Sequence, residues 1–282
     1  MTSTLSPQLF AILSALVEER LGIHYGADDL ELFSDKVTTR ALEAGFESVL
    51  DYYYFLRYDA VAPAELDALA DTLVVGETYF FRELEALRAG VTHALLPAVT
   101  RSGRARVWSA ACATGEEPVS LALLLDEAGI RDRTEIVATD VSARALAKAR
   151  EGNYGSRSLR ALPPNATPPG FSDLLGRLSS VAIAREGKRA QVARSVVAGI
   201  GYRQLNLLDD AAVAALGTFD LVLCRNVLIY FADATVKRVV ATLARSLRDE
   251  GRLIIGASES LLRFGTALRC EERGGAFLYG LP

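Results

Sequence analysis

Two adjacent carboxylates, Glu116 and Glu117, follow a bend of small residues in the stretch VWSAACATGEEPVSLALLL, residues 107–125. The stretch passes from strand-like to helix-like composition, so the bend is a strand-to-helix turn. A turn that cradles a phosphate needs glycines for close backbone approach and positive charge nearby. This one has Gly115, the small residues Ala110, Ala111, Cys112 and Ala113, and two negative charges. A cationic nucleoside without a phosphate suits it, its ammonium paired with Glu116 or Glu117. S-adenosylmethionine has that character: an adenosine, a sulfonium and an amino acid. Complementing the positive end of a helix is the other reading of the two glutamates.

Further polar residues end other strand-like stretches. Asp140 closes TEIVATD, Asn206 lies in YRQLNLLD, and Arg225–Asn226 close FDLVLCRN. In a doubly wound sheet, ligands bind beyond the carboxyl ends of the strands, where the strand order switches. An acidic residue at the end of the second strand accepts the hydrogens of both ribose hydroxyls, as Asp140 is placed to do. Capping the helix that begins near Ser142 is its alternative role.

The elements that must position these residues fall into two rhythms. Residues 1–75 read as helices. SPQLFAILSALVEERLG has Ser6 as a candidate N-cap and Pro7 in the first turn, with Leu9, Phe10, Ile12, Leu13, Leu16 and Val17 at helical spacing. Helical runs follow at Leu32–Ala44, Ser48–Tyr58 and Pro63–Val74. The aromatic stretch Tyr52–Tyr58 is expected to pack between helices, and Lys36 and Arg40 to lie on a solvated face.

Beyond Arg101, strands alternate with helices: ARVWSAAC, TEIVATD, YRQLNLLD, FDLVLCRN and RLIIGAS, with GGAFLYGL closing the edge. Such alternation predicts an α/β fold with a mainly parallel sheet. Between about residues 165 and 200 the pattern breaks: LPPNATPPG marks a loop and AREGKRAQ a hairpin turn, so an inserted antiparallel β-subdomain is expected.

With 282 residues, half of them hydrophobic, the chain can bury a large core, and a formal charge of −4 argues against broad nucleic-acid or anionic-membrane binding. Neither a secretory signal nor a membrane-spanning run is apparent, so a cytoplasmic protein is expected. Cys112, Cys224 and Cys270 lack zinc-like spacing and are expected to be buried thiols; no metal is expected.

Four blocks, in order, resemble the CheR family of chemotaxis receptor methyltransferases: GETYFFRE at 76–83, WSAACATGEEPVS at 108–120, ATDVSARALAKAREGNYG, and FDLVLCRNVLIYF. The resemblance runs through essentially the whole chain. It implies a Rossmann-like class I methyltransferase sheet over residues 76–282, behind an N-terminal all-helical domain. It also implies that S-adenosylmethionine is converted to S-adenosylhomocysteine as glutamates on the helical bundle of a methyl-accepting chemoreceptor become methyl esters. In some members the β-subdomain docks the receptor's C-terminal tail.

By the same resemblance, Thr78, Arg82 and Glu117 hold the methionine end of the cofactor and Asp140 the ribose. Asn206 and Leu207 flank the adenine, Arg225 and Asn226 complete the pocket, and Arg82 and Tyr230 stand closest to methyl transfer. His24 and His93, away from the motifs, need take no part.

The chain departs from the family pattern at three places. Gly76 stands where asparagine is usual, Ala257-Ser258-Glu259 replaces a Gly-His-Ser-Glu ending, and a lysine-tyrosine-phenylalanine cluster after Pro169 is missing. A non-catalytic module that binds cofactor or receptor is therefore a competing reading. An NAD-dependent oxidoreductase, which lacks its glycine triplet here, and a small-molecule methyltransferase are two more. No oligomer is called for, and a monomer is expected.

Overall fold

The front of the chain folds around its own apolar stripes. Ser6 Oγ accepts the Leu9 amide at 3.2 Å, and helix α1 runs Pro7–Leu21 before Gly22 ends it at φ +79°. Helices α2 (Leu30–Glu43), α3 (Val49–Tyr58) and α4 (Ala62–Leu73) complete the layer. Leu13, Leu16, Val17, Phe33, Val37, Leu56 and Leu69 form its core, with Phe10 set edge-on to Phe33 at 5.3 Å. The computed structural model describes residues 4–159, 183–186 and 189–282.

The aromatic stretch divides. Tyr52 is buried and donates its hydroxyl to Glu65 Oε1 at 2.7 Å, whereas Tyr54 and Tyr58 stack on one another at the surface. Arg40 is not solvated either: its Nε and Nη2 grip Glu65 at 2.7 and 2.6 Å, a two-point contact that ties α2 to α4.

Among the described residues ten strands follow: β1 (Ala105–Ala110), β2 (Thr134–Asp140), β3 (Asn153–Gly155), β4 (Ile183–Glu186), β5 (Arg189–Val192), β6 (Ile200–Gln204), β7 (Phe219–Cys224), β8 (Leu247–Ile255), β9 (Arg269–Arg273) and β10 (Ala276–Gly280). Seven form one sheet in the order β6-β2-β1-β7-β8-β10-β9. The first five are parallel, and β10 is antiparallel to β8 and β9. The order turns back between β1 and β7, which creates a switch point at their carboxyl ends. This is the Rossmann-like class I methyltransferase sheet.

Side-chain alternation along the strands feeds two cores. Val107, Leu221, Leu223 and Ile254 enter one, with helices α5 (Leu84–Gly90), α6 (Leu96–Ser102) and α7 (Glu116–Glu127) on that side. Trp108, Val222, Cys224, Leu253 and Ile255 enter the other, under the helix Asp233–Arg245. Trp108 is fully buried, and its indole N–H donates to Thr139 Oγ1 at 2.9 Å, so the burial leaves no orphan donor.

Three expectations are corrected here. Ala276–Gly280 is an inner strand, and the edge is β9, whose residues RCEER show no apolar alternation and are all exposed. Charged side chains are a usual protection for an edge. The same strand exposes Cys270, the one cysteine of the three that is not buried. The third sheet strand ends at Gln204, so Leu205–Asp209 belong to the turn beyond it.

Among the described residues, the β-subdomain has three strands in the order β3-β5-β4, all antiparallel. The AREGKRAQ segment supplies β4 and β5, which pair from Ile183↔Val192 to Glu186↔Arg189. The sheet also recruits β3, upstream of the expected bounds. The LPPNATPPG segment lies outside the described residues.

The helical layer is sewn to the sheet at its ligand-binding end. The His24 amide donates to the Tyr230 carbonyl at 2.8 Å beside an antiparallel bridge between Ile23 and Phe231. Asn206 Nδ2 donates to the Arg20 carbonyl at 2.7 Å, and the Ser142 hydroxyl donates to Asp71. Among the described residues no helix is long and apolar enough to cross a membrane.

Candidate active site

The turn after β1 is built for close approach. Ala111 and Ala113 take left-handed backbone angles, φ +60° and +47°, and Gly115 takes φ +91°. Left-handed alanines cost about 1–3 kcal/mol each, strain that clusters at functional turns. At Gly115 a Cβ would stand 2.7 Å from the Ala149 Cβ and 3.1 Å from the Tyr202 hydroxyl, so no other residue fits. The turn is stitched to β2: the Cys112 amide donates to the Thr139 carbonyl at 2.8 Å and the Ala113 amide to Asp140 Oδ2 at 2.8 Å.

Asp140 is nearly buried and also accepts the Ser142 amide on Oδ1 at 2.9 Å. Ser142, not Asp140, caps α8 (Ala143–Glu151), with its Oγ accepting the Ala145 amide. The carboxylate of Asp140 keeps acceptor capacity for a ligand. Burial pushes its carboxyl above the usual aspartate range, against the pull of the Ser142, Ala113 and Val141 amides.

The two glutamates of the turn separate. Glu117 accepts Ser109 Oγ at 2.6 Å and Arg225 Nη1 at 2.9 Å, and it faces a cavity of about 400 Å³. Glu116 turns the other way and does not line that cavity. Its carboxylate accepts Thr114 Oγ1 and Ser158 Oγ, each at 2.7 Å, and burial pushes its carboxyl up. Of the two, Glu117 alone presents its carboxylate to the cavity, because neighbouring helix residues point about 100° apart.

Gly76, Thr78, Arg82, Glu117, Asp140, Asn206, Leu207, Arg225, Asn226 and Tyr230 all line the cavity. They arrive from the segment before α5, the turn after β1 and the ends of β2, β6 and β7. The volume is in the range of small-molecule sites. Carboxylates facing the cavity, left-handed small residues and apolar walls fit S-adenosylmethionine, the cofactor that the resemblance implies.

Arg82 donates Nη1 to the Glu77 carbonyl at 3.2 Å and lies 5.8 Å from the Tyr79 ring centre. The Tyr230 hydroxyl is pushed above the usual tyrosine range by burial, while the Arg82 charge pulls it down. Two lining residues do more holding than contacting. Asn206 spends its amide on Arg20 and on the Leu208 amide, received by Oδ1 at 2.9 Å. Arg225, with its side chain 2% exposed, sits between Glu117 and Glu83.

The helical layer supplies a wall that sequence motifs did not mark. Tyr25, Asp29, Lys36 and Leu73 line the cavity, as does His24, which is bonded through Nδ1 to Glu18 at 2.7 Å. Lys36 is not on a solvated face: Nζ donates to the Leu73 carbonyl at 3.1 Å, and burial lowers its ammonium pKa. The Tyr25 hydroxyl donates to the same carbonyl at 3.2 Å, and burial pushes it up to about 12. The available signal was the position of Lys36 beside the buried Phe33–Val37 stripe.

Comparison with known proteins gives a consistent match. The model described as "CheR methyltransferase, SAM binding domain" matches residues 76–273, and "CheR methyltransferase, all-alpha domain" matches residues 8–74. Chemotaxis protein methyltransferase 2 of Vibrio cholerae is 33% identical over 246 residues, 85% of this chain and 81% of that protein. The chemotaxis protein methyltransferase of Klebsiella aerogenes is 33% identical over 279 residues, covering 98% and 90%. The probable biofilm formation methyltransferase WspC of Pseudomonas aeruginosa is 38% identical over 212 residues, covering 74% of this chain and 47% of that one, so the chain spans about half of that relative.

Proposed function

The chain belongs to the CheR methyltransferase family, and on that premise we propose that it esterifies glutamate side chains of bacterial chemoreceptors in chemotaxis adaptation. The observation that carries this reading is one cavity lined by the carboxylates of Glu117 and Asp140 together with Arg82 and Tyr230. When bound, S-adenosylmethionine supplies an electrophilic methyl group on its sulfonium.

A glutamate side chain is already ionised at neutral pH, so no base is needed to activate it. The protein's task is to desolvate that carboxylate and hold it in line. Arg82 holds it through charge-assisted hydrogen bonds. The Tyr230 hydroxyl donates to the attacking group's second oxygen and fixes its orientation. Glu117 anchors the ammonium and Asp140 the ribose, while Leu207 covers the adenine. On this reading the enzyme works as a monomer in the cytoplasm, where receptor bundles are found.

Calorimetric titration with S-adenosylmethionine and S-adenosylhomocysteine, followed by methyl ester detection on purified chemoreceptor cytoplasmic fragments, tests the reading. Micromolar binding with ester formation is expected. Binding without ester formation on any fragment overturns it in favour of a non-catalytic module.

Two substitutions refine it. Tyr230→Phe is expected to lower kcat about tenfold, the value of about one hydrogen bond, with cofactor affinity within threefold of the parent. A loss of affinity equal to the loss of kcat would place Tyr230 in the cofactor's shell instead. At Gly76 a Cβ has nothing within 4 Å, so Gly76→Asn fits without strain. It is expected to tighten cofactor binding about three- to tenfold by restoring one amide contact, and an unchanged Kd in the same titration shows that the asparagine is dispensable.

A further inference from the structure

Three chain segments meet where the reacting residues are carried: the end of the 76–83 segment with Arg82, the loop after β7 with Tyr230, and the loop after β8. Glu259, in the last of these, gathers three backbone amides on one carboxylate. Its Oε2 accepts the Gly256 amide at 2.6 Å and the Asn226 amide at 2.8 Å, and its Oε1 accepts the Ile229 amide at 3.3 Å. Glu83, the neighbour of Arg82, works from the opposite side. It accepts the Ala257 amide at 3.0 Å and the Asn226 side-chain amide at 3.3 Å, and it pairs with Arg225 at 3.2 Å.

The backbone is shaped for this arrangement. Glu83 and Asn226 both take left-handed angles, φ +52° and +59°, which non-glycine residues rarely adopt without support. At Gly256 a Cβ would stand 2.5 Å from Asn226 Nδ2 and 2.8 Å from Glu259 Oε2, so that glycine makes room for the junction. Asn226, gripped by Glu83 through its side chain and by Glu259 through its backbone, is the point where the three segments lock together.

We infer that Glu259 and Glu83 are positioning residues for methyl transfer, two carboxylates that buckle the Arg225–Tyr230 loop to the segment bearing Arg82. The inference rests on the methyl-transfer reading of the site. Asn226 precedes the short helical turn Leu228–Tyr230 and Ile229 lies within it, next to Tyr230, so fixing their amides fixes where its hydroxyl stands. Neither carboxylate needs to touch the reacting atoms. A displacement of about 1 Å at the reacting centre costs about 100-fold in rate, which makes the loop's register a kinetic quantity.

The test compares Glu259→Ala and Glu259→Gln with the parent in three readings. These are kcat for methyl transfer to purified chemoreceptor fragments, Kd for S-adenosylhomocysteine, and amide exchange of the 225–230 segment by mass spectrometry. Glu259→Ala is expected to lower kcat by about 10- to 100-fold and to speed exchange at 225–230, with Kd within about threefold. Glu259→Gln keeps an oxygen for the Gly256 and Asn226 amides and is expected to recover most of the lost rate. A kcat within twofold of the parent, or unchanged exchange at 225–230, overturns the inference. So does a loss of kcat matched by an equal loss of S-adenosylhomocysteine affinity, which marks Glu259 as general support. If the parent esterifies none of the fragments, the proposed function falls by itself, and the exchange reading alone decides whether the carboxylate fixes the loop.

Discussion

Arg225→Ala is expected to remove about 3–5 kcal/mol of folding stability, read as a shift in the urea unfolding midpoint at constant m-value. The arginine is buried between two acids, with Nη1 on Glu117 at 2.9 Å and Nη2 near Glu83 at 3.2 Å. Nη2 also donates to the Arg82 carbonyl. Truncation leaves two partly buried carboxylates facing each other without a cation, and it frees a carbonyl at the start of α5. Replacing Arg225 by methionine fills the space but not the charge, so it is expected to recover little. Adding Glu117→Gln to that variant removes one uncompensated charge and is expected to recover part of the loss. If Arg225→Ala costs less than about 1 kcal/mol, the three groups are solvated in solution and the network is not a structural one.

Asp140→Ala is expected to weaken S-adenosylhomocysteine binding by about 10- to 150-fold, the value of about 1.5–3 kcal/mol for hydrogen bonds to a charged group. Calorimetry measures it directly. Unchanged affinity removes Asp140 from the ribose site. Part of any loss comes from the turn itself, because Ala113 and Ser142 lose the acceptor of their amides. Asp140→Asn separates the two effects, since its side-chain oxygen still accepts from one of them.

The wild-type protein gives a pH test of the same group. Burial raises the Asp140 carboxyl, so the folded protein takes up its proton more readily than the unfolded chain does. The group's unfavourable contribution to stability is therefore present above the raised pKa and is relieved as pH falls to below the unfolded value. Cofactor affinity is expected to move the opposite way over the same window, because the ribose hydroxyls need the ionised acceptor. Affinity that holds constant down to the ordinary aspartate range contradicts this.

What sequence could and could not disclose follows the range of the interactions. The turn after β1, the acid ending β2 and the N-cap at Ser6 are local devices, and residue types within a few positions reveal them. Glu116 and Glu117 are equally local, yet which one faces the ligand depends on how α7 lies on the sheet. Lys36, Tyr25 and His24 reach the cavity only because Arg20, Asp71 and Ile23 fasten the helical layer to strands far away in the chain. Glu83 and Glu259 each lie in a short stretch that resembles the family's, but the stretches are more than 170 residues apart, and nothing local says that both carboxylates meet at the β7 loop. Strand β9 escaped notice because an edge strand clothed in charge has no alternation to read.

The stitched seam between the helical layer and the sheet has a consequence for how such proteins are recombined. Both sides contribute to the cavity wall, and they share hydrogen bonds at Arg20–Asn206, His24–Tyr230 and Asp71–Ser142. A chimera that grafts the helical front of one relative onto the sheet of another inherits a mismatched cavity wall. Only fronts grafted together with the residues they grip, Asn206, Ser142 and the Tyr230–Phe231 backbone, are expected to keep the pocket intact, so in this architecture the pocket travels as a matched pair of surfaces.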